Sequence, residues 1–142
     1  MSRLARVLMS LIAGALATPC VADCLDDAAA YRHLNPALVR AVAQHESGMR
    51  ATAVNINSNG SEDIGLMQIN SSWLPTLSRF GIRREHLFDA CVNAYVGTWI
   101  LASNCHRLGA TWKCVGAYNA VSPQKQLTYA NAIYRILQRA GN

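Results

Sequence analysis

The cysteine pattern, taken together with the first twenty-two residues, restricts this chain more than any other feature. Arg3 and Arg6 precede an apolar run from Val7 to Ala17, and Thr18-Pro19-Cys20-Val21-Ala22 then offers small residues for cleavage. A basic start, an apolar stretch and a small-residue site, in that order, match a secretory signal peptide. The run has eleven residues, whereas a helix needs about 20 to span a bilayer. A retained membrane anchor is therefore the weaker reading. We expect residues 1–22 to be removed, leaving residues 23–142 as one domain with no stable membrane span.

Cys20 departs with the signal, and Cys24, Cys91, Cys105 and Cys114 remain. An even number of cysteines in a small exported domain points to two disulfides. Four cysteines allow three pairings. The favoured one joins Cys24 to Cys91, tying the N-terminus to the body, and Cys105 to Cys114, closing a short loop. Zinc is the competing reading, but no CxxC or HxxxH spacing supports it. Loss of Arg3 and Arg6 leaves the mature chain at +3, with no run of Lys or Arg. Such mild charge argues against nucleic-acid binding. It would suit a weakly anionic polymer or simply a solvated surface.

The mature chain reads as predominantly helical. A short helix is predicted over about Leu25 to Tyr31. A second opens with Asn35 as N-cap and Pro36 in its first turn, and Gly48 ends it. Val39, Val42 and Ala43 recur at helical spacing, and Glu46 continues their stripe. Ala53–Asn57 and Asp63–Gln68 then flank Ser58-Asn59-Gly60-Ser61, a hairpin signal centred on Asn-Gly. Helical pattern resumes near Ser72 and stops at Gly81. Asp89 caps a helix carrying Val92, Val96, Trp99 and Ile100, which ends before Gly109. A short helix covers Trp112 to Tyr118, and after Ser122-Pro123 a last helix is predicted to bury Leu127, Ala130, Ile133, Tyr134 and Leu137. The expected fold class is α+β, predominantly α: helices around a buried central helix, with a small β-hairpin flap.

Glu46 is one of only eight acidic residues, and an ionisable side chain on the inward face of a helix is costly unless paired or used. Desolvation disfavours its carboxylate and raises its pKa, which suits a general acid. A hairpin folding back from that helix would turn Asp63 toward it across a groove. Two carboxyls in unlike surroundings are what glycoside cleavage requires, one to protonate the leaving oxygen and one to stabilise or attack the sugar cation. The plainer alternative pairs Glu46 with an Arg and leaves Asp63 capping a turn.

The blocks "HES", "GLMQIN", "GAYNA" and "TYANAI" occur in that order. Together they resemble the lytic transglycosylases of the lysozyme-like superfamily, from about Cys24 to Leu137. With "LFDACVNAYVGTWIL", the chain is most similar to the small specialised members that accompany secretion, conjugation or pilus machines in Gram-negative bacteria. The resemblance implies a lysozyme-like fold, a periplasmic location and Glu46 as the catalytic acid/base. It further implies Ser47 beside the sugar, Met67, Gln68 and Asn70 lining the cleft, Tyr118 and Asn119 near the catalytic carboxyl, and Tyr129 as the aromatic of the last block. Core packing competes for Met67, Tyr118 and Tyr129, and a helix cap for Asn70.

Two positions depart from the pattern. Val121 follows Ala120 where the family has Gly. Asp63 stands where most transglycosylases have no acid, although "DIGLMQINSSW" also resembles the animal-type lysozyme segment that carries a catalytic aspartate. Asp63 is therefore electrostatic helper, nucleophile or spectator. The implied activity is cleavage of the β-1,4 bond between N-acetylmuramic acid and N-acetylglucosamine with formation of 1,6-anhydromuramyl ends. The alternatives are a hydrolytic muramidase and a non-catalytic glycan-binding assembly protein. Implied partners are peptidoglycan glycan strands and a secretion, conjugation or pilus machine component. No metal or cofactor is expected, since no Gly-rich phosphate loop or His pair at ligand spacing occurs. His45 is read as a surface residue.

The cysteine reading has a direct check. The mature exported protein should show no free thiol on titration under denaturing conditions, and two or more reactive thiols per chain would refute the two disulfides.

Overall fold

The computed structural model describes residues 20–141; the predicted signal peptide as far as Pro19 lies outside the described residues. Helix α1 (Val21–Tyr31) starts four residues before the predicted Leu25, and Val21 packs against the core. Helix α2 (Pro36–Ser47) follows the sequence signals at both ends. Asn35 accepts the Ala37 N–H at 2.8 Å, and Gly48 takes a left-handed φ of 60° that ends the helix. Val39, Val42 and Ala43 are fully buried.

The predicted hairpin is part of a three-stranded antiparallel sheet, with β1 (Val54–Ile56), β2 (Glu62–Ile64) and β3 (Ile69–Asn70) side by side in that order. Asn55 lies opposite Asp63, and Asp63 lies opposite Asn70. The loop differs from a two-residue Asn-Gly turn. The Gly60 N–H closes onto the Asn57 carbonyl at 2.9 Å, and Gly60 (φ 83°) supplies the left-handed residue that returns the chain to β2. Nor is Asp63–Gln68 one strand. Left-handed Gly65 (φ 77°) and Gln68 (φ 51°) turn the chain back, so that Ile69-Asn70 pairs with the strand it has just left.

Beyond the sheet, 3-10 turns at Ser71–Trp73 and Ser78–Phe80 enclose the short helix α3 (Leu74–Leu77), and Gly81 stops the run as expected. A further 3-10 turn, Arg84–Phe88, lies between Gly81 and Asp89, where no element is predicted. Helix α4 (Ala90–Leu108) is capped by Asp89, which accepts the Val92 N–H at 2.9 Å. It is the central helix, buried at Ala94, Val96, Ile100 and Leu101 and touched by α1 and α5. Helix α5 (Trp112–Gly116) ends two residues before Tyr118. Helix α6 (Pro123–Ala140) packs on α2 and α5. Of the residues predicted to face inward, Ala130 and Ile133 are buried and Leu137 packs against the core, whereas Leu127 and Tyr134 are exposed and Tyr129 is buried instead. Both sets have helical spacing, and contact with α2 and α5 selects between them. Cys24–Cys91 clamps α1 to the start of α4, and Cys105–Cys114 clamps the end of α4 to α5, the favoured pairing. Among the described residues no helix is long and apolar enough to cross a membrane.

Asn93, fully buried on α4, carries the packing of helices onto sheet. Its Oδ1 accepts the Met67 N–H at 2.7 Å, and its Nδ2 donates to the carbonyls of Ile64 and Leu87 at 2.9 and 2.8 Å. One amide thus satisfies three backbone groups that water cannot reach. Asn93→Leu, similar in size, would leave all three unpaired at about 1–3 kcal/mol each. Denaturant unfolding should show a loss of about 3 kcal/mol or more, and a loss below ~1 kcal/mol would contradict this role.

Candidate functional site

A groove of about 680 Å³ separates the sheet from the helices, and Glu46 and Asp63 both line it. That volume lies within the range of small-molecule and sugar sites. Glu46 comes from the last turn of α2, where the apolar stripe reaches the groove, and it is half-buried. Its Oε1 accepts the Tyr129 hydroxyl of α6 at 2.5 Å. Burial pushes the Glu46 carboxyl up from 4.5 to about 7; the Tyr129 hydrogen bond opposes the rise, and the charge of Asp63 adds to it.

Tyr129 is held from two sides, by the edge of His45 at 5.1 Å and by the Tyr118 ring stacked at 6.5 Å. Tyr118 in turn donates its hydroxyl to the Met67 carbonyl at 2.8 Å. Burial, then the nearby Glu46 charge, pushes both phenols above their ordinary pKa. They stay hydrogen-bond donors throughout the physiological range.

Asp63 sits on β2 in different surroundings. Asn70, its cross-strand neighbour, donates to Oδ1 at 2.7 Å, and Asn57 donates to Oδ2 at 3.0 Å. The second proton of each amide goes to Ser61 Oγ at 3.1 Å, and Ser61 donates to Asn59 Oδ1 at 2.8 Å. The carboxyl plane is therefore held by neutral amides. Among the described residues no Lys or Arg pairs with Asp63, nor with Glu46. The pairing of Glu46 with an Arg, the plainer alternative from sequence, is absent among the described residues.

Of the other residues singled out from sequence, Gln68, Asn70, Tyr118 and Asn119 line the groove with the two acids. Ser47, Met67 and Tyr129 do not. Ser47 is 4% exposed, and its hydroxyl donates to the Leu66 carbonyl at 2.7 Å while accepting the Arg50 N–H. It fastens the end of α2 to the turn after β2 rather than facing a sugar. Met67 is fully buried against Gly97, where any Cβ would overlap it. Tyr129 is 5% exposed and reaches the groove through its bond to Glu46. Asn70 also caps the following 3-10 turn, accepting the Ser72 N–H at 3.0 Å. His45 is exposed, as expected, yet supports Tyr129.

Sequence reasoning missed Asn57, Ser61, Trp73 and Val121 on the groove wall. The signal for the first two was present: the hairpin loop carries more amides and hydroxyls than its turn requires. Among the described residues no three His, Cys, Asp or Glu side chains gather where they could hold a metal ion. The arrangement offers a proton donor near neutrality, a fixed carboxylate and a wall of neutral hydrogen-bonding groups, suited to an uncharged polyhydroxyl ligand.

Residues 23–132 match the family described as transglycosylase SLT domain. The chain is 40% identical to "X polypeptide" of Escherichia coli over 121 residues, covering 80% of this chain and 72% of that one. It is 40% identical to "Protein IpgF" of Shigella flexneri over 119 residues, 80% of this chain and 78% of that protein. Similarity to "Invasion protein IagB" of Salmonella typhimurium strain SL1344 is also 40%, over 106 residues, 74% of this chain and 66% of the other.

The raised pKa of Glu46 has a consequence for stability. Between 4.5 and about 7 the folded chain keeps a proton that the unfolded chain has lost. This contribution is complete below 4.5 and disappears as pH rises through about 7. Glu46→Gln removes the titration, so the variant should gain on the wild type as pH rises, by at most about 3 kcal/mol above neutrality. Thermal unfolding of both proteins from pH 4 to 8 measures this. A constant difference across that range would rule out the buried titration.

Proposed function

The chain belongs to the transglycosylase SLT family, named for action on glycosidic bonds, and on that premise we propose that it is a peptidoglycan lytic transglycosylase. The observation that carries the proposal is a half-buried carboxyl, Glu46, raised to about 7 and facing a groove whose other acid is held by amides. A group titrating near the working pH serves as proton donor in one step and acceptor in the next.

Glu46 donates its proton to the oxygen bridging N-acetylmuramic acid and N-acetylglucosamine. The C1–O bond breaks, and the N-acetylglucosamine strand leaves with that proton as its 4-hydroxyl. Positive charge then develops at C1 and the ring oxygen. Asp63 stabilises it electrostatically: its carboxylate is already oriented by Asn57 and Asn70, so no reorganisation is needed when the charge appears. The Glu46 carboxylate takes the proton of the muramyl C6 hydroxyl, O6 bonds to C1, and a 1,6-anhydro ring closes. Glu46 ends protonated, as it began, and no water is consumed. Tyr129 steadies the carboxylate form of Glu46 between the two transfers.

Gln68, Asn70 and Asn119 supply amides for sugar hydroxyls and N-acetyl groups, and Trp73 supplies an aromatic face. The site of action is the periplasm, reached through the signal peptide of residues 1–22. The 40% identity to a protein named for invasion supports local opening of the wall for a secretion, conjugation or pilus machine.

Digestion of purified sacculi followed by mass spectrometry tests the chemistry. Anhydro ends, one water lighter than reducing ends, are expected; reducing ends would instead identify a hydrolytic muramidase. Glu46→Gln should lower cleavage by roughly 10²–10⁴-fold, and activity within a few-fold of wild type would remove Glu46 from the mechanism. Asp63→Asn should cost about 10–10³-fold while leaving the anhydro product unchanged. Cleavage by the wild type should fall as pH rises through about 7, where Glu46 loses its proton.

A further inference from the structure

A second concave surface lies next to the groove and differs from it in chemistry. Trp73, on the groove wall, meets Trp99 edge to face with centroids 5.4 Å apart. Trp99 lines a separate cavity of about 370 Å³, together with Leu77, Ile82 and Val96. Phe80 and Arg32 complete the lining. The surrounding surface is aromatic: Phe80 is 72% exposed, and Tyr31, 66% exposed, packs its ring 5.9 Å from that of Tyr95. The Arg32 guanidinium lies over the Tyr31 ring at 5.0 Å.

Two properties of this cavity select its occupant. Apart from the Trp99 indole, Arg32 is the polar side chain of the lining. The hydroxyls of a sugar would find none of the amides and hydroxyls that the groove offers, whereas an apolar side chain would meet apolar side chains over most of the lining. Exposed Phe and Tyr around an apolar pocket, with an Arg among them, are the side chains that concentrate at protein–protein contacts.

The second property is charge. Among the described residues Arg32 makes no ion pair, and neither does Arg79, next to Phe80 in the chain. Arg32 Nε is buried without a hydrogen-bond partner. Turning the guanidinium toward an incoming carboxylate would therefore sacrifice no bond at Nε and would gain a two-point, charge-assisted one.

We propose that this cavity is the docking site for a partner protein that inserts a phenylalanine or leucine side chain while an adjacent glutamate or aspartate pairs with Arg32. Burial of the apolar side chain supplies the bulk of the attraction. The Arg32 pair fixes its register and rejects basic sequences. The docking surface does not depend on the reaction carried out in the groove.

The test is an NMR titration of the purified protein with the peptide N-acetyl-Glu-Phe-Leu-Glu-amide. A control peptide carries lysine in place of both glutamates. Saturable shifts should centre on the Arg32 Nε–H, the Trp99 indole N–H and the methyl groups of Leu77, Ile82 and Val96. Arg32→Gln should weaken binding about 10–100-fold, the equivalent of one charge-assisted pair. Phe80→Ser, at a position outside the core, should weaken it at least about fivefold with thermal unfolding unchanged. Absence of shifts at millimolar peptide, shifts centred on Gln68 and Asn119 in the groove, or equal binding of the lysine peptide would overturn the proposal. So would concentration-dependent shifts at the cavity without peptide, which would mean a second copy of the chain fills it. Shifts of the same signals by an N-acetylglucosamine trimer would assign the cavity to glycan instead.

Discussion

Three side chains from separate parts of the chain hydrogen-bond the backbone of one short turn, and the candidate site depends on that convergence. The turn, Gly65–Gln68, joins β2 to β3. Ser47 at the end of α2 donates to the Leu66 carbonyl, Asn93 on α4 accepts from the Met67 N–H, and Tyr118 beyond α5 donates to the Met67 carbonyl. The Ser47 and Asn93 bonds are buried and the Tyr118 bond is partly so, so these backbone groups have few alternative partners at low cost. Glu46 immediately precedes Ser47, Asp63 lies on the strand entering the turn, and Asn70 lies on the strand leaving it. Fastening the turn therefore fixes α2 and the sheet relative to each other, and with them the two carboxyls that share the groove.

Those two carboxyls owe their difference to what surrounds them. Glu46 ends an apolar helical stripe, so the protein around it offers little to a negative charge beyond one phenol, and its proton is held to about 7. Asp63 lies at the sheet, where Asn57 and Asn70 direct one N–H to each of its oxygens. The same amides satisfy Ser61, and Ser61 satisfies Asn59, so the network closes without a cation. A lysine or arginine in that network would neutralise the charge to which the proposed mechanism gives its role. The density of asparagine and serine in the hairpin is the means of holding a carboxylate without cancelling it.

Helix α4 contributes to two surfaces of opposite character. Ile100 faces the polar groove, and Val96, one turn earlier, faces the aromatic cavity. The Trp73–Trp99 contact forms part of the partition between them. Disulfides hold α4 near both ends, one to α1 and one to α5. A cross-linked central helix gives both surfaces a common rigid wall.

What the sequence determined by itself is local or combinatorial. Asn35-Pro36 and Gly48 set the limits of α2 because a cap acts within one turn, and Asp89 set the start of α4 for the same reason. The stripe of Val39, Val42 and Ala43 carried Glu46 to its end, and four motif blocks in order identified the family. Cysteine parity implied two bonds, and the pairing observed was favoured because it closes a short loop at Cys105–Cys114 and ties the N-terminus to the body at Cys24–Cys91. Tertiary structure decided the rest. Asp63–Gln68 has the pattern of one strand, but Asn93, twenty-six residues beyond Met67, holds its backbone as a turn, and the left-handed Gln68 makes a third strand possible. Tyr118 and Tyr129 read equally as core or cleft, and only packing shows Tyr129 behind the groove, reaching Glu46 from eighty-three residues away. Ser47, next to Glu46 in sequence, points away from the groove, because successive residues on a helix lie about 100° apart and the buried carbonyl of Leu66 required a donor. Caps and stripes act over a few residues and can be read in order; hydrogen bonds between distant segments exist only once the chain has brought those segments together.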